Sequence, residues 1–199
     1  GEDGGTLDGE VEVDETYIGG KARKMNTGRR KAMLADGKHK RNAWAGKVAV
    51  LGLLERHPGK GKSRVRTMPV DSIRKHRLMP VVTQQIEDGS TVYTDKLASY
   101  DNLSVYYQHK VIDHAEKYVD GVVHTNGLEN YWSLLKRTIR GTYVSVEPFH
   151  LFRYLDEQAF RFNERSDNDG SRFEKTLRHV TGRRITFHAL IRQPEGLRE

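Results

Sequence analysis

The 199 residues carry a formal net charge of +7, no cysteine and 36% hydrophobic residues, with a mean hydropathy of −0.75. That apolar content suffices for one folded domain, while the missing cysteine excludes a disulfide framework and thiolate metal sites. No apolar run approaches the roughly 20 residues of a membrane span and no signal-peptide pattern is present, so a cytoplasmic protein without membrane contact is expected, and the start at Gly1 rather than Met is read as a fragment lacking an upstream domain.

Residues 1–9 are Gly- and acid-rich and are expected to form a disordered tail. "EVEVDETYI" then alternates, with Val11, Val13 and Glu15 on one face and Glu12, Asp14 and Thr16 on the other, which predicts a strand ended by Gly19 and Gly20. A basic insertion follows over 20–46. From Lys21 to Lys47 ten Lys or Arg stand against one Asp, a local +9 that exceeds the charge of the whole chain and leaves about −2 for the remainder. A segment of that kind fits a solvated loop, and it equally fits an arm that orders on a polyanion. Nucleic acid is the favoured partner, with Lys21, Arg23, Lys24, Arg29, Arg30, Lys31, Lys40 and Arg41 as its phosphate contacts.

"WAGKVAVLGLLER" is nearly all apolar and predicts a central strand. After the turn "HPGKGKS", "RVRTMPV" alternates as a third strand and completes an antiparallel meander. Asp71-Ser72 is a cap signal for a helix to about Glu87, in which Pro80 predicts a kink or break. "STVYTD" is a short strand ending at Asp95, "KLASYDNL" a brief helix, and "SVYYQHKVIDH" a fifth strand or strand pair. "HTNGLENYWSLLKRTIRGTY" is an amphipathic helix stopped by Gly141, and "PFHLFRYLDEQAFRFNER" another, with Leu151, Tyr154, Leu155, Gln158 and Phe162 on one face. "SRFEKTLRHVTG" is a final helix. One domain over 10–182 is expected, with 183–199 as a C-terminal tail.

Three carboxylates stand out by position. Asp14 lies mid-strand opposite Val11 and Val13, Asp95 ends a short strand, and Glu129 falls in the first turn of a long helix. Strand ends of α/β sheets expose ligand-binding groups. Converging acids raise each other's pKa, and a pair of Mg²⁺ ions shared with substrate phosphates relieves that repulsion. Each acid also has an ordinary reading: a solvent-face strand residue for Asp14, a helix cap for Asp95, and for Glu129 a capping box with Asn126 as the N-cap. The four histidines His39, His57, His76 and His109 have no ligand-like spacing, which argues against a zinc site.

"VEVDETYIGGK", "VYTDKLASY" and "HTNGLENYWSLLKRTIRGTY" followed by "HLFRYLDEQAFRFNER" resemble the successive motif blocks of the ISXO-like insertion-sequence transposases, a DDE-type family, over roughly Glu10 to Arg165. The 34 positions between Asp95 and Glu129 are close to the short second interval of DDE transposases. Lys136 follows Glu129 by seven positions, two helical turns on and on the same face.

The resemblance implies a ribonuclease-H-like α/β fold: a mixed sheet of an antiparallel three-strand meander plus parallel strands, flanked by helices. It implies Asp14, Asp95 and Glu129 as ligands of two Mg²⁺ (or Mn²⁺) ions, with Lys136 on a transposon-end phosphate. Asn126 shares the catalytic assignment, because some relatives carry Asn in place of the third acid, and His124 lies within two turns of both. Trp132 as a stacking residue and Arg137 and Arg140 as phosphate contacts complete the DNA-facing set, although Trp132 equally fits helix packing and both arginines equally fit plain solvation. The implied activity is metal-dependent cleavage of transposon-end DNA and strand transfer into a target, by at least a homodimer on DNA. A ribonuclease-H-like nuclease or resolvase that only hydrolyses, and a non-catalytic DNA-binding remnant, are the rivals. The zinc ribbon that precedes such domains has no counterpart in this sequence, and Glu15, next to Asp14, is expected to point to the other face.

Overall fold

Alternation sets the first element. In the computed structural model, which describes residues 5–19, 27–28, 31, 47–56, 62–95, 100, 102–112, 125–144, 146–187 and 190, strand β1 (Glu10–Gly19) buries Val11 and Val13 on one face and directs Glu12 and Asp14 to the other. It pairs antiparallel with β2 (Lys47–Arg56), which pairs antiparallel with β3 (Arg64–Val70). Strand β4 (Thr91–Asp95) joins the free side of β1 in parallel, and β5 (Gln108–Ile112) joins β4 in parallel. The sheet order is β3-β2-β1-β4-β5. This mixed sheet with helices on both faces is the α/β architecture the sequence predicts.

Strand β2 is apolar on both faces because both are covered. Leu51 and Leu53 meet Leu78 and Val82 of helix α1 (Lys75–Gln85), together with Val11, Val13 and Val92. Val50 and Leu54 face the other way and meet Leu128, Tyr131 and Leu135 of α2 (Asn126–Gly141) and Leu151 and Leu155 of α3 (Leu151–Asn163). Each such fully buried aliphatic side chain contributes about 1.5–3 kcal/mol. β3 is an edge strand, and the Asn163 amide covers part of that edge, accepting the Val65 N–H at 2.8 Å and donating to its carbonyl at 3.0 Å. Helix α4 (Asp169–Val180) follows, capped by the Asn168 side chain on the Ser171 N–H. Among the described residues no helix is long and apolar enough to cross a membrane.

Several expectations change at element ends. The tail 1–9 is not free from Gly5 onward: Leu7 is fully buried, and its backbone bonds Gln85 at the end of α1 and Glu87 just beyond it. Helix α1 starts at Lys75 rather than after Ser72, whose hydroxyl instead accepts the Arg74 N–H. It runs unbroken through Pro80, because Pro80 and His76, whose carbonyl loses its partner, both lie on the exposed side. The fifth strand is shorter than predicted, and Leu103–Val105 forms a 3-10 turn before it.

The N-terminus of α2 is held by the sheet. Thr125 is the N-cap and its side chain makes no capping bond, so Asn126 is the first helical residue rather than the cap of the expected box. Instead Glu12 of β1 accepts the Leu128 N–H through Oε2 at 2.8 Å, while its Oε1 accepts the Arg56 Nε–H at 2.7 Å. Glu12 is 1% exposed. The close approach requires a glycine: a Cβ at Gly127 would lie 2.9 and 3.0 Å from the two Glu12 oxygens. The carboxylate also meets the positive end of the helix dipole.

Removing one partner of a buried ion pair leaves an uncompensated charge. Glu12→Ala is expected to lower unfolding stability in urea by about 3–5 kcal/mol, and the double variant Glu12→Met/Arg56→Met to recover most of it. A loss near zero for the single variant would contradict the structural role of Glu12.

Candidate metal centre and nucleic-acid face

Two parallel strands bring the first two acids together. The β1–β4 ladder ends at the pair Val13–Thr94, so Asp14 and Asp95 are the next residues in register. Carboxylate oxygens of Asp14, Glu15 and Asp95 all lie within 4.8 Å of one another. Glu15 keeps the face that alternation gives it, since its partner Tyr100 belongs to the Val11–Val13 cluster while Asp14 meets Trp132 on the other side, yet its carboxylate reaches the two aspartates. Among the described residues the β1–β4 ladder ends at Val13–Thr94, and just past it the Glu15 carboxylate reaches the aspartates from the opposite face of β1. The Tyr100 hydroxyl donates to Glu15 Oε1 at 2.6 Å and holds it there. The unequal strand lengths were the available sequence signal for this residue.

Burial shapes the electrostatics more than repulsion does. It raises the pKa of Asp14, with smaller upward contributions from Asp95 and Glu129, against hydrogen bonds from Trp132 and the Glu15 backbone. Glu15 is pushed up to about 7, again mainly by burial, with Asp14 and Asp95 adding and the Tyr100 hydrogen bond opposing. Tyr100 itself is raised well above its ordinary value by burial and by Glu15. An all-oxygen donor set carrying this unfavourable charge suits a hard divalent cation such as Mg²⁺ or Mn²⁺.

Helix α2 supplies the remaining candidates. Glu129 is exposed in its first turn; it stands outside the three-acid cluster, yet close enough for its charge to raise the Asp14 pKa. Asn126 is exposed one turn earlier. Lys136 is half-buried, which lowers its pKa, while Asp14 raises it and Arg140 and Lys47 lower it further. Arg137 and Arg140 are exposed on the same helix.

Trp132 requires a correction. It is 4% exposed, so its ring is not offered for stacking on a base, and its indole N–H donates to Asp14 Oδ2 at 2.9 Å. It belongs to the buried stripe of α2, with Leu128, Tyr131, Leu135 and Ile139. Of the basic arm, Lys31 is exposed, whereas Lys21, Arg23, Lys24, Arg29, Arg30, Lys40 and Arg41 lie outside the described residues, as does His124. Of the histidines, His76 is exposed and His109 pairs through Nε2 with the Thr94 hydroxyl at 2.9 Å.

Comparison with known proteins gives the family of the chain. Residues 6–163 match the family model of the ISXO2-like transposase domain. An uncharacterized transposase-like protein of Haemophilus influenzae is 31% identical over 103 residues, covering 51% of this chain and 83% of the relative. An uncharacterized protein in the transposable element ISH50 of Halobacterium salinarum is 31% identical over 137 residues, covering 66% of this chain. The chain spans 45% of that second relative's length.

The raised Glu15 pKa has a definite sign in stability. The folded state holds this proton up to about pH 7, whereas the unfolded carboxyl releases it near 4.5. Chelator-treated protein therefore loses stability as the pH rises between those values. Thermal melts across that range should show Glu15→Gln gaining on the parent as the pH rises; parallel profiles would contradict the assignment.

Proposed function

The chain belongs to the ISXO2-like transposase domain family, and on that premise we propose that it is the catalytic domain of a DDE transposase, performing metal-dependent DNA cleavage and strand transfer. The observation that carries this reading is the convergence of Asp14, Glu15 and Asp95 oxygens within 4.8 Å where the parallel β1–β4 ladder ends.

Asp14 and Asp95 would hold the divalent cations, two Mg²⁺ or Mn²⁺, with Glu129 completing the ligand set from α2 and Asn126 at the rim. Bound there, such a pair activates the attacking oxygen and stabilises the leaving one in an in-line displacement at phosphorus. The residues of the chain do the rest. Asp14 and Asp95 stand on rigid strands, so the reacting phosphate is addressed from a fixed sheet edge. Lys136, half-buried and within reach of the Asp14 charge, presents an ammonium to a DNA phosphate beside the acids. Arg137 and Arg140 extend that contact along the exposed face of α2, and the basic segment 20–46 supplies sequence-independent attraction that weakens with salt. Cleavage and joining need no covalent protein intermediate in this scheme. Two transposon ends require two sites, so a homodimer or higher oligomer on DNA is the proposed assembly.

The test uses DNA bearing the ends of the element that encodes the protein, pre-nicked to expose a 3′-hydroxyl, with Mg²⁺ and a target plasmid. Joined products are expected from the parent, and Asp95→Asn should reduce them to background. Hydrolysis without joining would replace the transposase reading by a nuclease, and no Mg²⁺-dependent reaction in the parent would remove the enzyme altogether.

A further inference from the structure

We infer that Trp132 is a positioning residue for the acidic centre, acting through Asp14, and that Gly52 is the residue that makes room for it. The inference rests on the reading of Asp14 as a cation ligand and adds a specific device to it.

Asp14 on β1 is paired across the ladder with Gly52 on β2. The six-membered edge of the Trp132 ring occupies the space above that glycine: a Cβ at position 52 would lie 2.4 Å from Cζ2 and 2.6 Å from Cη2. Real Cβ atoms do not approach carbon that closely, so any side chain at 52 displaces the indole. The ring also packs against Tyr131, with centroids 5.3 Å apart and planes inclined at 60°. Clamped in this way, it presents Nε1–H to Asp14 Oδ2 at 2.9 Å.

The chemistry of the donor decides what this contact does. An indole N–H donates and cannot accept a proton or ligate a metal. It is also neutral, so it orients the carboxylate without cancelling the charge a cation needs. An Arg or Lys in its place would compete with that cation. One oxygen of Asp14 is thereby committed to the protein, which fixes the direction of the other. Hydrogen-bonding partners of metal-ligating carboxylates set ligand orientation, and their loss costs about 10–100-fold in metal affinity or activity. Phe at 132 would fill most of the same volume and carry no donor, which separates the hydrogen bond from the packing.

The test is Mn²⁺ titration by calorimetry on the parent and on Trp132→Phe, Gly52→Ala and Asp14→Asn, with circular dichroism melts as the check on folding. Asp14→Asn should abolish the binding, and Trp132→Phe should weaken it about 10–100-fold in a protein that still melts cooperatively. Gly52→Ala should weaken it in the same direction by shifting the ring. Parent-like Mn²⁺ affinity in folded Trp132→Phe overturns the positioning role while leaving the metal site intact. Parent binding that survives Asp14→Asn overturns the metal-site reading itself. Should Trp132→Phe fail to fold, the unaltered ring reports instead. The sequence has two tryptophans, so in a Trp44→Phe background the single indole ¹⁵N–¹H resonance belongs to Trp132. That resonance should shift in Asp14→Asn and on Mg²⁺ addition; an unmoved resonance in both overturns the inference.

Discussion

One buried carboxylate ties helix α2 to the sheet. Glu12 accepts a backbone N–H from the first turn of α2 and, through its other oxygen, the guanidinium of Arg56 on β2. It thus joins β1, β2 and α2 at one point, and from there strand and helix advance in commensurate steps. Two residues along a strand advance roughly 6.6 Å, and four along a helix about 6 Å. A helix anchored with Leu128 on Glu12 therefore delivers Trp132 to Asp14, which is the contact observed. One further step brings Lys136 to the position where it feels the Asp14 charge. Glu129 and Arg140 lie on the same helix, so these candidate residues inherit their placement from the same anchor.

The same arrangement stores an electrostatic tension. Asp14 and Glu15 are both raised, chiefly by burial, and Asp95 adds repulsion to each. A fold selected only for stability has no reason to gather three carboxylates at the end of a short parallel strand. Hydrogen bonds from Trp132 and Tyr100 hold two of these acids in place, which orients the oxygens while leaving their charge uncompensated. In a chain of the ISXO2-like transposase domain family, this is the arrangement on which the proposal of cation-assisted phosphoryl chemistry rests.

Much of this was legible in the residues. The alternation of "EVEVDETYI", the unbroken apolar run of "VAVLGLL" and the 3.6-residue periodicity of the two long helices each report burial directly, and so yielded strand, central strand and helix in the right order. Asp14 and Asp95 were found because strand position is readable. The contacts of Glu15, Glu12 and Trp132 were not. Alternation gives Glu15 the face it occupies, but it carries no information on where the neighbouring strand stops and so none on how near its carboxylate comes to Asp95. The Glu12 cap spans 116 residues and the Trp132–Asp14 bond 118, and contacts that distant leave no local pattern. Gly52 and Gly127 carried a trace of them, as small residues at positions where periodicity calls for larger ones, but only the packing shows what occupies the space.

The central claim is that Asp14 and Asp95 share a divalent cation. Crystals soaked in Mn²⁺ and measured for anomalous scattering test it most directly. A peak within coordination distance of carboxyl oxygens from both residues, with the Trp132 indole still on Asp14 Oδ2, is the result expected. Anomalous density confined to other carboxylates, with Asp14 and Asp95 bare at saturating Mn²⁺ and with end DNA bound, would contradict it.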